Sequence, residues 1–186
     1  MADTSPLVVG YWNIRGLAAP LRMICSYAGA DFHSAEYEVL AKPDGDWDRS
    51  QWYNEKPKLK ALNPLINLPY VLERASDGSV VLVTQSNACL LFLGRKFGLN
   101  GKNDDEVRRN EQCLCQVMDL RDNLILLSYS KRDVFESALP RYISDNMSVH
   151  LDKFEAWLEF YDSPFLGTRN SERELSPCES RITRER

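Results

Sequence analysis

The side chains able to do chemistry in this sequence fall at the ends of short apolar runs. Tyr11 closes Leu7-Val8-Val9-Gly10-Tyr11. A phenol at a strand end can donate a hydrogen bond to an anion, and it can equally serve as a core aromatic. Gln85-Ser86 follows Val80-Val81-Leu82-Val83 and opens a helical stretch. The exposed N–H groups and positive dipole end of such a start hold a carboxylate, and a serine there is also an ordinary N-cap. Trp12 and Trp52 carry indole N–H donors, and Arg49 and Lys56 add positive charge. Asn67-Leu68-Pro69 contains an X–Pro bond whose cis form costs only about 0.5–1 kcal/mol.

Cysteine chemistry is not expected. Cys25, Cys89, Cys113, Cys115 and Cys178 are odd in number and irregularly spaced, which argues against a disulfide framework. Cys113 and Cys115 lie two apart on a helical stretch with no base nearby. There is no CxxC pair, and His33 and His150 are far apart, so no metal site is expected.

The elements that must position these residues read as follows. Leu7–Trp12 is a strand, and a helix follows from about 18 to 27, with Pro20 in its first turn and Gly29 as its stop. Tyr37, Val39 and their neighbours read as a second strand. Residues 41–57 read as a long irregular connection with room for one short helix. Residues 69–73 and 79–83 flank Asp77-Gly78, a hairpin signature. Residues 85–97 read as a helix with an apolar stripe at Ala88, Leu91, Phe92 and the aliphatic stem of Arg95. Beyond the linker at 98–103 the signal is helical only. One helix spans about 104–130, with acids at its start that suit the helix dipole. A second spans about 139–161, on Leu139, Ile143, Met147, Leu151, Phe154 and Leu158, with Pro140 in its first turns.

Composition narrows the class. Of 186 residues, 44% are apolar and 27% charged, a globular balance. The net charge of −4 gives no whole-chain attraction for nucleic acid or an anionic membrane. No stretch approaches the roughly 20 apolar residues of a membrane span. Met1-Ala-Asp-Thr-Ser-Pro lacks the features of a signal peptide, so the expected compartment is the cytosol. Residues 168–186 alternate charges and carry only Leu175 and Ile182 as large apolar groups, which reads as a disordered tail.

Several blocks in order carry a resemblance. Gly10-Tyr11-Trp12-Asn13-Ile14-Arg15-Gly16-Leu17, Asp48-Arg49-Ser50-Gln51-Trp52-Tyr53-Asn54-Glu55-Lys56, Asn67-Leu68-Pro69-Tyr70, Thr84-Gln85-Ser86-Asn87-Ala88, Met118-Asp119-Leu120-Arg121 and Leu127-Ser128-Tyr129-Ser130 resemble mu-class glutathione transferases. The resemblance implies an α/β thioredoxin-like domain over 5–102 and an all-α domain, an incomplete helical bundle, over 104–167. It implies a cytoplasmic homodimer that conjugates the glutathione thiolate to small hydrophobic electrophiles. Glutathione is then a co-substrate, with no separate cofactor and no metal. The other readings are a non-catalytic binding module of the same fold and an inactive truncated isoform.

The same resemblance assigns roles. Tyr11 would hydrogen-bond the glutathione sulfur and favour the nucleophilic thiolate. Trp12, Leu17, Arg49, Ser50, Gln51, Trp52 and Lys56 would surround the peptide, with Trp12, Trp52 and Lys56 at its glycyl end and Arg49 in the same loop. Asn67-Leu68 would read its cysteinyl backbone through the main chain, with Pro69 cis. Gln85 and Ser86 would hold the γ-glutamyl carboxylate, and Asp119 would reach the γ-glutamyl amine in the partner subunit. Tyr129 would face the electrophile. For Trp52 the alternative is packing in the loop, for Lys56 a solvated charge, for Asp119 an exposed helix acid, and for Tyr129 a helix-end aromatic.

Three departures stand out. The stretches 39–49 and 58–66 are each about two residues longer than in the family. Leu65 stands where a bulky aromatic often plugs into the partner subunit, and Leu91 where an arginine is often found. After Phe165-Leu166-Gly167 the family's aromatic-Ala-Gly turn and the helix that follows it are replaced by the charged segment.

Overall fold

β1 (Leu7–Trp12) is buried along nearly its whole length, which puts it at the centre of the sheet. In the computed structural model, which describes residues 6–167, the chain forms two units that divide between Leu99 and Asn100. In the first unit β1 is followed by a 3₁₀ turn at Gly16–Ala18 and by α1 (Ala19–Tyr27), then β2 (His33–Tyr37). A small hairpin, β3 (Leu40–Ala41) with β4 (Trp47–Asp48), leads to α2 (Ser50–Lys60). β5 (Tyr70–Arg74), β6 (Val80–Thr84) and α3 (Ser86–Lys96) complete the unit.

The four-stranded sheet has the order β2-β1-β5-β6. β1 and β2 are parallel, joined by the α1 crossover, and the other two pairings are antiparallel. Alternation along β1 divides its side chains between two cores. Leu7, Val9 and Tyr11 pack with Leu21 and Cys25 of α1 and with Cys89 and Leu93 of α3. Val8 packs on the other side with Tyr37, Trp52, Leu59, Ile66 and Tyr70. Helices therefore cover both faces, α1 and α3 on one and α2 on the other. Gly10 pairs with Tyr70 across the ladder, and a Cβ at Gly10 would overlap the Tyr70 ring.

Several sequence expectations change here. The second strand ends at Tyr37 and does not include Val39. The stretch expected to be irregular over 41–57 holds the β3–β4 hairpin and most of α2. The buried residues of α3 are Cys89, Leu93 and Gly94, whereas Ala88 is exposed. Six consecutive apolar residues, Ala88 to Leu93, leave the helical face undetermined by periodicity, and the small Cys89 and Gly94 let the helix approach closely.

The second unit, taken alone, contains α4 (Asp104–Ser128), α5 (Arg132–Tyr142), a π-helical turn at Ile143–Met147 and α6 (Ser148–Phe160). The Asn103 side chain accepts from Glu106 N–H at 3.0 Å, and the Glu106 carboxylate accepts from Lys102 N–H at 2.7 Å. Such a reciprocal cap fixes the start of α4. The helix expected over 139–161 begins at Arg132, so Pro140 lies inside it and not in its first turn. A π-helical turn spans Ile143–Met147, and beyond it the buried residue of α6 is His150 while Leu151 is half exposed. The expectation for 168–186 lies outside the described residues.

Candidate functional site

Strand register gathers the first unit's chemistry at one end of the sheet. Gly10 pairs with Tyr70, Tyr70 with Thr84, and Trp12 with Tyr37. The end of β1, the start of β5 and the passage from β6 into α3 are therefore neighbours. Tyr11, Trp12, Leu68, Gln85 and Ser86 all sit at this end.

Tyr11 is 8% exposed, and its ring belongs to the core under α1 and α3. Beyond it the chain turns sharply: Asn13 N–H donates to Tyr37 O at 2.8 Å and Ile14 N–H to Trp12 O at 2.7 Å. Arg22 on α1 secures this turn. Its Nη1 donates to Ile14 O at 3.1 Å, its Nε to Ser34 Oγ at 2.8 Å, and Glu36 lies 3.4 Å from its Nη2. Gly16 adopts φ +37° beside the Tyr11 ring, a conformation that favours glycine. Leu17 and Trp12 are half-buried against the core.

The turn before β5 presents main chain. The Leu68–Pro69 bond is cis. Thr84 Oγ1 accepts from Asn67 N–H at 3.1 Å and donates to Asn67 O at 2.8 Å, with Pro69 O 3.3 Å away. Among the described residues, neither the N–H nor the C=O of Leu68 takes part in a hydrogen bond. A peptide group laid alongside Leu68 can pair with both in the manner of an added strand.

Gln85 is held at φ 74°, ψ 122°, a left-handed value rare for a side-chain-bearing residue and costly by about 1–3 kcal/mol. This backbone turns the chain from β6 directly into α3. Among the described residues, no side chain caps α3, so the first-turn N–H groups at Ser86 are open to an external carboxylate.

α2 supplies the third side. Gln51 Oε1 accepts from Glu38 N–H at 2.9 Å, tying the helix start to the end of β2. Ser50 N–H donates to Asp48 Oδ1 at 2.8 Å, which holds the Asp48 carboxyl below its ordinary range. Arg49 is exposed just before the helix. Trp52 is 2% exposed: its ring stacks on Tyr70 at 6.2 Å between centroids and meets the edge of Tyr37 at 5.2 Å. Its ring thus packs from α2 into the core beneath the sheet. Lys56 Nζ lies 5.8 Å above that ring. The Tyr37 and Tyr70 hydroxyls share a buried 2.8 Å hydrogen bond, and burial pushes the Tyr37 phenol far above its usual value.

Asp119 and Tyr129 belong to the second unit. Asp119 is exposed on α4 and borders a cleft of about 510 Å³ between α4 and α6, with Cys115, Phe154 and Trp157. Tyr129 follows α4 and is 80% exposed. Burial pushes the Cys25 thiol up to about 11 and Cys89 to about 12, so both are protonated near neutral pH. Among the described residues, no cluster of three or more His, Cys, Asp or Glu could hold a metal ion.

Sequence reasoning missed Thr84 as a support of the Asn67 turn, and it missed the Tyr37–Tyr70 pair. The available signal for Thr84 was alternation: it shares a face with Leu82, so a hydroxyl ends an inward-facing row.

A thioredoxin-like α/β unit followed by an all-helical unit is the architecture that fold and site define. No family model matches the chain. Mouse glutathione S-transferase Mu 1 is 42% identical over 138 residues, covering 74% of this chain and 58% of its own length. Guinea-pig (Cavia porcellus) glutathione S-transferase B is 45% identical over 125 residues, covering 67% and 54%. Human glutathione S-transferase Mu 1 is 36% identical over 164 residues, covering 88% and 66%. Among solved structures, the glutathione S-transferase of Ascaris lumbricoides superposes with a TM-score of 0.66 at 27% identity, over 87% of this chain and 72% of that one. A Fasciola hepatica sigma-class enzyme, at 21% identity and a TM-score of 0.73 over 90% of this chain and 73% of that one, shows the same fold. The chain belongs to the mu class of the glutathione S-transferase family. It spans somewhat more than half the length of the first two curated relatives.

Proposed function

We propose that this protein is a glutathione transferase that conjugates the glutathione thiolate to hydrophobic electrophiles. One observation carries the reading: Tyr11, the spare main chain of Leu68 and the uncapped start of α3 at Ser86 meet at one end of the sheet. Glutathione offers a thiol, peptide groups and a γ-glutamyl carboxylate, one for each.

In this reading the Tyr11 hydroxyl donates to the sulfur. A free thiol near pKa 8.5 is only a few per cent ionised at neutral pH, and a donor aimed at the sulfur favours the anion. Leu68 pairs with the cysteinyl backbone while Thr84 occupies the main chain of Asn67. Ser86 and Gln85 hold the γ-glutamyl carboxylate, Trp12, Trp52 and Lys56 surround the glycyl end with Arg49 in the same loop, and Leu17, Ser50 and Gln51 complete the peptide site. Asp119 reaches the γ-glutamyl amine of a partner subunit, and Tyr129 faces the electrophile. The thioredoxin-like domain is placed at 5–102 and the helical domain at 104–167.

The working form in this reading is a homodimer in the cytosol. Exposed Leu62, Leu65, Val80 and Val81 give the first unit apolar surface of the kind subunits cover. The buried, free Cys25 and Cys89 suit a reducing compartment. Among the described residues no helix is long and apolar enough to cross a membrane.

Retention on immobilised glutathione with turnover of an aryl halide or epoxide is the expected result. Retention without turnover would leave only a binding module, and no retention would overturn the reading altogether.

A further inference from the structure

We infer that Thr84 is the positioning residue of the ligand-binding turn. The inference rests on the proposed glutathione reading and adds a residue to it. Thr84 is 5% exposed at the last position of β6. Its single hydroxyl meets three main-chain groups of one turn: it accepts from Asn67 N–H, donates to Asn67 O, and has Pro69 O as a second acceptor. These contacts bracket Leu68 on both sides and take up the main-chain N–H and C=O of Asn67; among the described residues, the N–H and C=O of Leu68 are left unused.

The hydroxyl is thus a selector of which peptide group faces the ligand. The β6 backbone cannot do this for Asn67, because its ladder pairing with β5 ends at Tyr70–Thr84. The side chain carries the register on from there. The next residue, Gln85, takes the left-handed backbone that starts α3. Thr84 therefore joins the turn that offers main chain to the helix start that offers N–H groups, and one side chain sets the spacing between two binding elements.

Removing the hydroxyl while keeping the shape isolates this role. Thr84→Val should raise the dissociation constant for glutathione by roughly tenfold, the size expected when the two part-buried hydrogen bonds that fix the Asn67 main chain are lost. Thr84→Ser restores the hydroxyl and should bind within about threefold of the unchanged protein. A structural role alone would track thermal stability and not the hydroxyl. Calorimetric titration of all three full-length chains with glutathione, alongside their melting temperatures, separates the two.

Equal binding by Thr84→Val and the unchanged protein overturns the inference, as does Thr84→Ser binding no better than Thr84→Val. If Thr84→Val does not fold, amide hydrogen exchange on the unchanged protein decides. The Asn67 amide should be protected without ligand, and the Leu68 amide should become protected only when glutathione saturates. Fast exchange at Asn67, or no change at Leu68, overturns it. Absence of glutathione binding by the unchanged protein would instead overturn the reading on which the inference rests.

Discussion

A Cβ placed on Gly16 would lie 2.5 Å from Cε1 of Tyr11 and 2.9 Å from its hydroxyl oxygen. The glycine is therefore the wall against which the proposed thiol donor rests. Its φ of +37° adds a second reason for glycine at this position.

Gly16→Ala should accordingly move the Tyr11 ring and strain the turn. Because misplacement of a catalytic group by about 1 Å can cost a hundredfold, kcat/KM should fall by roughly ten- to a hundredfold. Stability should fall by about 1–2 kcal/mol from the left-handed backbone alone. Steady-state conjugation kinetics beside a urea unfolding curve check both. An unchanged kcat/KM would detach Gly16 from the site.

The charge above Trp52 gives a second prediction. Lys56 lies over the Trp52 ring at the start of the proposed glycyl subsite, whereas Lys58 is exposed and paired with Glu55 at 2.7 Å. Lys56→Ala should weaken glutathione binding by about tenfold, as for loss of one charge-assisted hydrogen bond. Lys58→Ala should leave it unchanged. Fluorescence titration at two salt concentrations is the check, and the Lys56 contribution should shrink as salt rises.

Much of this arrangement was legible in the sequence. β1, the β5–β6 hairpin, α1 and the start of α3 carry strong local signals: β-branched runs, Asp77-Gly78, and Pro20 in a first turn. α2 was not legible, because Ser50–Lys60 is mostly polar and holds Pro57 in its interior. Only Trp52 and Leu59 are buried there, too few to show a period. The π-helical turn at Ile143–Met147 was invisible for a different reason: an apolar pattern of spacing four runs through it without a break. Thr84 and the Tyr37–Tyr70 pair are long-range contacts, which no local window of sequence contains.

The buried thiols predict behaviour at alkaline pH. Cys25 and Cys89 have folded pKa values of about 11 and about 12, raised by burial from an ordinary value near 9. Below about pH 9 their contribution is fully present, since both states hold the proton. As pH rises toward 11–12 the unfolded chain ionises first, and the stabilisation is lost. Melting temperature should therefore drop between about pH 9 and about pH 11, and Cys25→Ala should flatten part of that drop. An identical slope in the variant would show that Cys25 does not contribute.

The central claim is that Tyr11 holds the sulfur of bound glutathione as a thiolate. Titration of that thiol by its ultraviolet absorbance, in the unchanged protein and in Tyr11→Phe, tests it most directly. The expected result is an apparent pKa at least about one unit below the free value of about 8.5, restored toward that value in Tyr11→Phe. A bound thiol that titrates like free glutathione, or an equal pKa in both proteins, would contradict it.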